Sequence, residues 1–340
     1  DSRGPGRNRP RGAAPGPPVH FASVTWGSFT PHPALAGRSL LTLRHHRPEA
    51  VEALLELADR LKATPPGAWP PLLRGRVVAL IFERPSTRTR VSFESGIARL
   101  GGSSLALAAR DMQVGRGETV EDTARVLGRM VDAVVLRTGP HATLEELHRH
   151  AGVPVINGLT YEHHPCQALA DAMTLRERFG DLHGLPVAYL GDGNNCCASL
   201  MIAGALTGMS VTAACPEGYR PDPEVVAWAD ATGRERGGGA RVVGDPAEAV
   251  TGARALYTDT WVSMGDEEGE VERIEALTPY RVDEALIARA APDAVVMHPL
   301  PAHYGHEVTR DILHGPRSAV WDQAENRMHV QAALLAHALG

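Results

Sequence analysis

The sequence predicts an α/β protein made of two doubly wound domains with parallel sheets. Short apolar runs of strand length alternate with longer segments of helical periodicity, which is the pattern of βαβ units. Polar motifs follow several of these apolar runs, at the strand ends where ligands of parallel sheets bind. The length of 340 residues fits two domains, and a hydrophobic content of 43% is enough to fill their cores.

The composition excludes several classes of protein. The 34 basic and 40 acidic side chains give a net charge of −6, so no overall basic character indicates nucleic acid as a partner. No apolar run approaches the ~18 residues of a membrane-spanning helix, and no membrane partner is expected. The 4 cysteines form no C-x-x-C pair. This argues against a disulfide framework or a structural zinc module and favours a reducing compartment.

Residues 1–36 are expected to form a disordered leader. Four arginines accompany a single acidic residue there, proline and glycine recur, and no periodicity is sustained. An arginine-rich, acid-poor leader is also typical of an organelle transit peptide. An upstream translated leader, a cloning remnant and a flexible tail remain open as alternatives.

The first domain is expected to cover residues 37–178. Its opening helix begins at Pro48, because proline suits the first helical turn and apolar residues then recur on one face through Leu61. The predicted strands of this domain are 76–82, 103–107, 131–136 and 153–156, and the later helices are 86–100, 118–129, 143–151 and 165–179.

The second domain is expected to cover residues 179–320, with the domain break in or just after the helix 165–179. The predicted strands are 186–190, 210–214, 255–258 and 294–297, and the predicted helices are 195–206 and 223–233. The glycine-rich segment 236–240 predicts a flexible loop or turn. The C-terminal helix, within 321–340, is expected to pack back on the first domain.

The strongest chemical motif is Ser86-Thr-Arg-Thr-Arg90, which follows a predicted buried strand and opens a helix. The first turn of a helix has unpaired N–H groups and the positive end of the helix dipole. The hydroxyls of Ser86, Thr87 and Thr89 add donors, as does the guanidinium of Arg88. The motif therefore favours binding of a phosphate-sized dianion. The alternative is an ordinary serine N-cap followed by solvated arginines.

Two other arginines occupy positions from which they could reach the same pocket. Arg137 follows a predicted strand, at the sheet edge where α/β ligands bind, and Arg327 lies at the opening of the last helix. On position alone, each is more often an ordinary surface arginine, and its assignment to the pocket depends on the family resemblance given below.

The segment from Tyr161 to Gln167 precedes a helix and contains two adjacent histidines. The side chains of His164 and Gln167 can each form a hydrogen bond to a carbonyl or an amide. A metal site made of His163, His164 and Cys166 is disfavoured, because adjacent ligands at a helix start point apart.

Two further strand ends carry polar residues. Asn195 closes a Gly-Asp-Gly-Asn-Asn motif that has Cys196 where a dinucleotide fingerprint needs its third glycine, so a polar ligand contact is favoured over a nicotinamide cofactor. Asp259 ends another predicted strand, and Ser263 and Met264 lie in the loop after it. A carboxylate can bind an ammonium, and loop N–H groups can bind a carboxylate, so these features suit an amino-acid ligand. A helix-capping role for Asp259 is the alternative.

Together these motifs resemble those of the carbamoyltransferase family, in order, from about Leu35 to the C-terminus. The matching segments are 86–90, 164–167, 192–195, 259–265 and 324–328. The 259–265 loop is of the type found in members that act on ornithine. The resemblance implies an active site in the cleft between the two domains, with carbamoyl phosphate and L-ornithine as substrates. The products would be citrulline and phosphate, in arginine biosynthesis or the urea cycle, and no metal or other cofactor would be needed.

The resemblance also implies a role for each matched residue. The residues that would hold carbamoyl phosphate are Ser86, Thr87, Arg88, Thr89, Gln113, Arg137, His164, Gln167, Leu300 through its carbonyl, and Arg327. The residues that would hold ornithine are Asn195, Asp259, Ser263 and Met264. The implied catalytic positions are Arg88, Arg137, His164 and Pro299. Gln113 would come from a neighbouring subunit, which implies a homotrimer with shared active sites.

One position departs from the family pattern. Members that use ornithine usually have His-Cys-Leu-Pro where this chain has His298-Pro-Leu-Pro301, a turn similar to that of members that use aspartate. Pro299 thus replaces a thiol near the ornithine amine. Three functions remain possible. The first is carbamoyl transfer to ornithine. The second is transfer to another amine, namely putrescine, an acylated ornithine or aspartate, and the third is binding without catalysis by an impaired homologue. Ornithine is preferred over aspartate because Asp259 would repel a second anion.

The expected compartment is the cytoplasm, or the mitochondrial matrix if residues 1–36 are a transit peptide.

Overall fold

The chain folds around two parallel β-sheets. The computed structural model describes residues 26, 28–108, 112, 117–262 and 269–340. The first sheet has four strands in the order β2-β1-β3-β4, and the second has five in the order β7-β6-β5-β8-β9. The strands of the first sheet are β1 Val77–Phe82, β2 Ser103–Ala108, β3 Ala133–Arg137 and β4 Val155–Leu159; those of the second are β5 Pro186–Leu190, β6 Ser210–Ala214, β7 Gly239–Val243, β8 Ala255–Thr258 and β9 Val295–Met297. The predicted fold class is confirmed.

Helices follow most of the strands. Their bounds are α1 Pro48–Ala63, α2 Thr87–Arg99, α3 Val120–Leu127, α4 His141–Ala151, α5 Pro165–Phe179, α6 Asn195–Thr207, α7 Pro223–Arg234, α8 Pro246–Val250, α9 Glu270–Leu277, α10 Glu284–Ile287, α11 Arg310–Leu313 and α12 Val320–Leu339. No helix among the described residues is long and apolar enough to cross a membrane.

The strand order places the polar motifs side by side. In the first sheet, β1 lies between β2 and β3, and Phe82 at the end of β1 pairs with Arg137 at the end of β3. In the second sheet, Leu190 at the end of β5 pairs with Thr258 at the end of β8. Each pair marks the point where the strand order reverses, which is where α/β sheets form a ligand crevice.

Helix α12 connects the two halves of the molecule. It begins beside the second sheet and packs against α1, α2 and α5. The approach to α2 is close, since a Cβ built on Gly96 would lie 3.2 Å from the Cβ of Ala332. This packing carries Arg327 to the start of α2.

The structure differs from the sequence interpretation at residues 236–240. Instead of a loop throughout, β7 begins at Gly239 and pairs with Ser210 as the edge strand of the second sheet. Glycine is needed just before the strand, because a Cβ on Gly238 would lie 2.3 Å from the carbonyl oxygen of Met209. Gly238 therefore lets the chain pass close to its neighbour and continue as a strand.

The predicted leader is only partly described. Residues 1–25 and 27 lie outside the described part of the chain, whereas 28–36 are described. Leu35 is buried, and the His32 N–H donates to His337 Nδ1 of α12 at 3.1 Å. The folded part of the chain therefore begins before residue 36.

Candidate active site

The start of α2 is open to an anion. Ser86 is its N-cap residue, but the Ser86 side chain makes no capping hydrogen bond. The first N–H groups of α2 consequently have no partner from their own helix and none from a serine cap. Ser86 and Thr87 both retain contact with solvent, so an anion can approach these groups.

Arg88 and Arg137 face the same space. Burial, together with the positive charges of Arg327 and Arg88, lowers the pKa of Arg137 to about 10. Burial also lowers the pKa of Arg88, while the charge of Asp259 opposes this shift. The Nε atoms of Arg88 and Arg137 are buried without a hydrogen-bond partner. Such mutually repelling cations are stabilised when an anion binds between them.

Arg327 reaches the site from α12. Its side chain is buried, and its Nη2 donates to Thr89 Oγ1 at 2.7 Å. The Thr89 hydroxyl oxygen therefore positions Arg327, and both the O–H and the backbone N–H of Thr89 can still donate to a ligand. The Arg327 Nε is buried and has no hydrogen-bond partner. Within the described ranges, no carboxylate lies at ion-pair distance from Arg88, Arg137 or Arg327.

His164 lies among these cations at the start of α5. Its backbone N–H donates to Ser199 Oγ at 2.8 Å, and its Nδ1 is buried without a partner. Burial lowers the pKa of His164 well below its ordinary value, and the charges of Arg327, Arg137 and Arg88 lower it further. The imidazole is therefore neutral at neutral pH and can donate from one nitrogen while it accepts on the other.

A buried hydrogen-bond chain orients Gln167. Asp171 Oδ1 accepts from Gln167 Nε2 at 2.9 Å and from Gln323 Nε2 at 2.7 Å. Gln323 Oε1 in turn accepts the N–H of His298 at 2.9 Å. Because a carboxylate oxygen only accepts, it holds the amide nitrogen of Gln167 and turns Gln167 Oε1 away. That oxygen is buried and unpartnered, so it can accept from a ligand amide.

The turn after β9 is held by its own histidine. The Leu300 N–H donates to His298 Nδ1 at 2.8 Å, and Leu300 has a positive φ of 59°. None of the backbone hydrogen bonds recorded for the described residues uses the Leu300 carbonyl, which is therefore available to a ligand. Pro299 is buried and contributes neither an N–H nor a polar side chain.

The polar residues of the second domain are already paired. Asp259 accepts from Asn194 Nδ2 at 2.9 Å and from the Thr260 N–H at 2.7 Å. Asn195 Nδ2 donates across the cleft to the carbonyl of Thr160 at 2.6 Å. An incoming amino acid would have to share or replace these bonds.

The structure brings most of the predicted site residues together around the cleft. The residues placed there are Ser86, Thr87, Arg88, Thr89, Arg137, His164, Gln167, Asn195, Asp259, Pro299, Leu300 and Arg327. Gln113, Ser263 and Met264 lie outside the described residues.

Sequence reasoning missed Asp171, Gln323 and Asn194. A signal was present for Asp171, since an aspartate four residues after Gln167 on an apolar helix needs a buried partner. Gln323 carried no such signal, because it becomes a neighbour only when α12 packs on α5. The Asn194 side chain accepts from the N–H groups of Cys196 and Cys197 as the cap of α6, in addition to holding Asp259.

A metal does not suit this pocket. Burial raises the pKa of the Cys166 thiol to about 12, so Cys166 is not a thiolate ligand. His164 is surrounded by guanidinium groups that would repel a cation. The donors instead suit an anion next to a small polar group that both accepts and donates hydrogen bonds.

Comparison with known proteins matches both halves of the chain. Residues 38–177 match the family model described as the carbamoyl-P binding domain of aspartate/ornithine carbamoyltransferase, and residues 183–338 match its Asp/Orn binding domain. The chain is 54% identical to the ornithine carbamoyltransferase of Methanoculleus marisnigri over 87% of this chain and 94% of that protein. It is 50% identical to that of Pyrococcus abyssi over 90% of this chain and 97% of that protein.

Solved structures give the same result. The ornithine carbamoyltransferase of Pyrococcus furiosus superimposes with a TM-score of 0.87 at 50% identity, over 90% of this chain and 98% of that one. The enzyme from Gloeobacter violaceus superimposes with a TM-score of 0.81 at 44% identity, over 90% and 99% of the two chains.

Proposed function

The chain belongs to the aspartate/ornithine carbamoyltransferase family, and we propose that it transfers the carbamoyl group of carbamoyl phosphate to the δ-amine of L-ornithine. The products are citrulline and phosphate. The curated relatives at about half identity are named ornithine carbamoyltransferases, one of them the anabolic enzyme of Pyrococcus furiosus. Arginine biosynthesis is the corresponding role.

One observation carries the assignment of the donor site. The positive charges of Arg88, Arg137 and Arg327 all lower the pKa of His164. Among the described residues, none of these three guanidinium groups has a carboxylate partner. Unpaired buried charge is costly unless a counter-ion compensates it. A phosphate dianion at the uncapped start of α2 supplies that compensation, with the N–H groups of the helix as further donors.

The remaining donors and acceptors fit the carbamoyl group. Its carbonyl oxygen accepts from Arg88 and from the imidazole N–H of His164. Its NH₂ donates to Gln167 Oε1, which has no partner within the described part of the chain, and to the Leu300 carbonyl. The group is thereby fixed in a plane with its carbon exposed to the second domain.

The reaction then follows from the charge distribution. The δ-nitrogen of ornithine attacks as the neutral amine, because an ammonium has no lone pair. Attack on the carbonyl carbon gives a tetrahedral oxyanion, which Arg88 and His164 stabilise. The C–O bond breaks, phosphate leaves with the electron pair, and the nitrogen releases its extra proton to the departing phosphate. Arg137 and Arg327 stabilise the charge that gathers on this leaving group.

Asp259 and Asn195 hold the α-amino and α-carboxylate groups of ornithine. Asp259 provides the charge complement of an ammonium, and Asn195 provides an amide that can reach a carboxylate. Ser263 and Met264 complete this grip through the loop that follows β8, on the strength of the sequence resemblance alone.

Pro299 supports a second candidate, transfer to another amine. A buried proline near the acceptor offers no polar side chain to an amine. Putrescine or an acylated ornithine lacks one of the charges that Asp259 and its neighbours complement, whereas aspartate adds a negative charge beside Asp259. These considerations favour ornithine.

A panel of amines separates the candidates. Phosphate release from carbamoyl phosphate is measured with L-ornithine, putrescine, N-acetyl-L-ornithine and L-aspartate, each against an amine-free control. The proposal expects the highest kcat/KM with L-ornithine. A higher kcat/KM with another amine would identify that amine as the acceptor instead of ornithine. Phosphate binding without turnover on any amine would indicate an impaired binding homologue.

The proposed assembly is a homotrimer in which Gln113 of one subunit completes the site of the next. A mixing experiment tests this sharing, since Gln113→Ala and Arg88→Ala subunits would form some intact sites only if each site uses two chains. Activity recovered on mixing supports the proposal, and none recovered among demonstrably exchanged subunits contradicts it. The proposed compartment is the cytoplasm, on the basis of the archaeal and bacterial sources of the relatives.

A further inference from the structure

A compact cluster of metal-ligating side chains lies beside the acceptor half of the cleft. His303, His306 and Glu307 each offer a ligand atom, and these atoms lie within 4.8 Å of one another. The cluster is set by a tight turn in which Gly305 has a φ of 91° and the His306 N–H donates to the His303 carbonyl at 2.9 Å. Residues at positions i, i+3 and i+4 are thereby brought to one side of the turn.

Glu307 is held rigidly and is only half satisfied. Its side chain is 0% exposed, and its Oε1 accepts from His298 Nε2 at 3.1 Å and from the His303 N–H at 2.6 Å. Its Oε2 is buried and has no hydrogen-bond partner among the residues that the structure describes. A fully buried carboxylate oxygen without a partner is costly, and a bound cation would compensate it.

The hydrogen bonds around His303 leave its Nε2 free. The Thr260 hydroxyl donates to the Val262 carbonyl at 3.1 Å, so Thr260 Oγ1 accepts the bond from His303 Nδ1 at 2.9 Å. The proton of this imidazole is therefore on Nδ1, and Nε2 carries a lone pair. Metal-bound histidines usually donate their other ring N–H to an oxygen that does not itself touch the metal.

From this geometry we propose that His303, His306 and Glu307 form a binding site for Zn²⁺. Two imidazoles and one carboxylate with a fourth position left to water are a common zinc ligand set, and imidazole disfavours Mg²⁺ and Ca²⁺. Tetrahedral ligands about 2.1 Å from zinc lie roughly 3.4 Å apart. The three ligand atoms thus approach one another by at most about 1.4 Å on binding, and the exposed His303 and half-buried His306 can make this movement.

The site is independent of the proposed carbamoyl transfer, and neither outcome below bears on that reaction. The spacing of His303, His306 and Glu307 does not by itself predict a metal site. The His303 ring contacts the hydroxyl of Thr260, the residue after Asp259, so the ion would lie close to the acceptor side of the cleft.

The test is zinc titration of tag-free, EDTA-treated protein by calorimetry. The wild type is expected to bind one Zn²⁺ per chain with a Kd in the micromolar range or below, and His306→Gln is expected to weaken binding at least about tenfold. His306 is the best position for substitution because Glu307 and His303 also support the turn. His183→Gln removes an exposed imidazole elsewhere and serves as the matched control, with unchanged affinity.

Cobalt provides a second readout that binding elsewhere would not imitate. Co²⁺ in the wild type is expected to give the intense visible absorption of a four-coordinate site, and His306→Gln is expected to lose it. The proposal is overturned if the wild type binds no zinc at about 100 times the expected Kd, or if His306→Gln binds zinc with the affinity and cobalt spectrum of the wild type.

Discussion

The two sides of the cleft prepare their polar groups in opposite ways. On the donor side, Arg88, Arg137, Arg327 and His164 have buried nitrogen atoms without hydrogen-bond partners. On the acceptor side, Asp259 is already bonded within the protein, as is Asn195. The donor side of the cleft thus presents polar atoms that lack hydrogen-bond partners among the described residues, and the acceptor side presents polar atoms that already have them.

We expect this difference to separate the residues that set the reaction rate from those that set the affinity for the amine. Donors that are fixed and unsatisfied before the substrate arrives need no reorganisation when charge develops, so they lower the barrier of the reaction. Groups that must exchange an internal bond for a ligand bond contribute little net affinity unless the ligand matches them closely. Substitutions on the donor side should therefore change the rate, and those on the acceptor side should change the concentration of amine required.

The largest effect is expected from Arg88→Ala. Removal of one charged donor from the forming oxyanion should lower kcat by roughly 10²–10³-fold, measured as citrulline formation at saturating substrates. Arg90→Ala is the matched control, because Arg90 is on the same helix but exposed and paired with Glu94 at 3.1 Å. The control should stay near the wild-type rate, and an Arg88→Ala rate equal to that of the control would contradict the assignment.

Asp259→Asn tests the acceptor side of the cleft. Loss of the charge that faces the ornithine ammonium should raise the KM for ornithine about 10- to 100-fold, the equivalent of a charged hydrogen bond. The KM for carbamoyl phosphate should change little. Initial rates over a grid of both substrates would separate the two values, and an increase confined to carbamoyl phosphate would place Asp259 on the wrong side of the cleft.

Asp171→Asn tests the orientation of Gln167. Burial raises the pKa of Asp171 to about 7, so the neutral amide resembles the protonated acid in charge and size. The asparagine keeps one oxygen for the two amide nitrogens that donate to Oδ1 and puts its NH₂ in the place of Oδ2. It removes the negative charge that strengthens both hydrogen bonds, which should hold Gln167 less firmly and lower kcat/KM for carbamoyl phosphate roughly tenfold above pH 7. A correctly melting variant with wild-type kinetics would show that Gln167 does not need this partner.

A smaller effect is expected from pH, through buried imidazoles. Burial lowers the pKa of six histidines, which are His46, His141, His163, His164, His329 and His337. Below pH about 6.5 the unfolded chain takes up protons that the folded chain refuses, so the free energy of unfolding falls as the pH falls. The melting temperature should be several degrees lower at pH 5 than at pH 7.5.

The contribution of one histidine to this pH dependence of stability can be measured by substitution. Burial lowers the pKa of His163 to about 4, so His163→Gln should reduce the difference between the two melting temperatures. Asp171 acts in the opposite direction, because its raised pKa stabilises the fold as the carboxyl is protonated between pH 7 and 4. A melting temperature that rises toward pH 5 would mean that carboxyl groups outweigh the histidines.

The smallest effect is expected from Pro299→Cys. The substitution restores a thiol beside the acceptor and an N–H to the turn, and His298 and Leu300 already hold that turn in place. The kcat/KM for ornithine should rise by a few-fold, with putrescine and N-acetylornithine measured in parallel. A gain for another amine instead would indicate that Pro299 is adapted to that amine.

The sequence was sufficient for features that depend on the local chain. Buried strands followed by polar turns predicted both sheets, and the uncapped start of α2 lies where the Ser86 motif indicated it. The sequence was insufficient where a role depends on packing between distant elements. Gln323 meets Asp171 only because α12 crosses the first domain, and the glycines before β7 looked like a loop because their close neighbour, Met209, is distant in sequence.

The most direct test of the central claim is calorimetric titration of inorganic phosphate into the amine-free protein. If the cations of the donor side converge on one dianion, Arg88→Ala and Arg137→Ala should each weaken phosphate binding by at least about tenfold. Arg90→Ala should leave the affinity unchanged, and Asp259→Asn, which removes a negative charge that acts on Arg88, should not weaken it. Phosphate affinity that survives both donor-side substitutions would contradict the account.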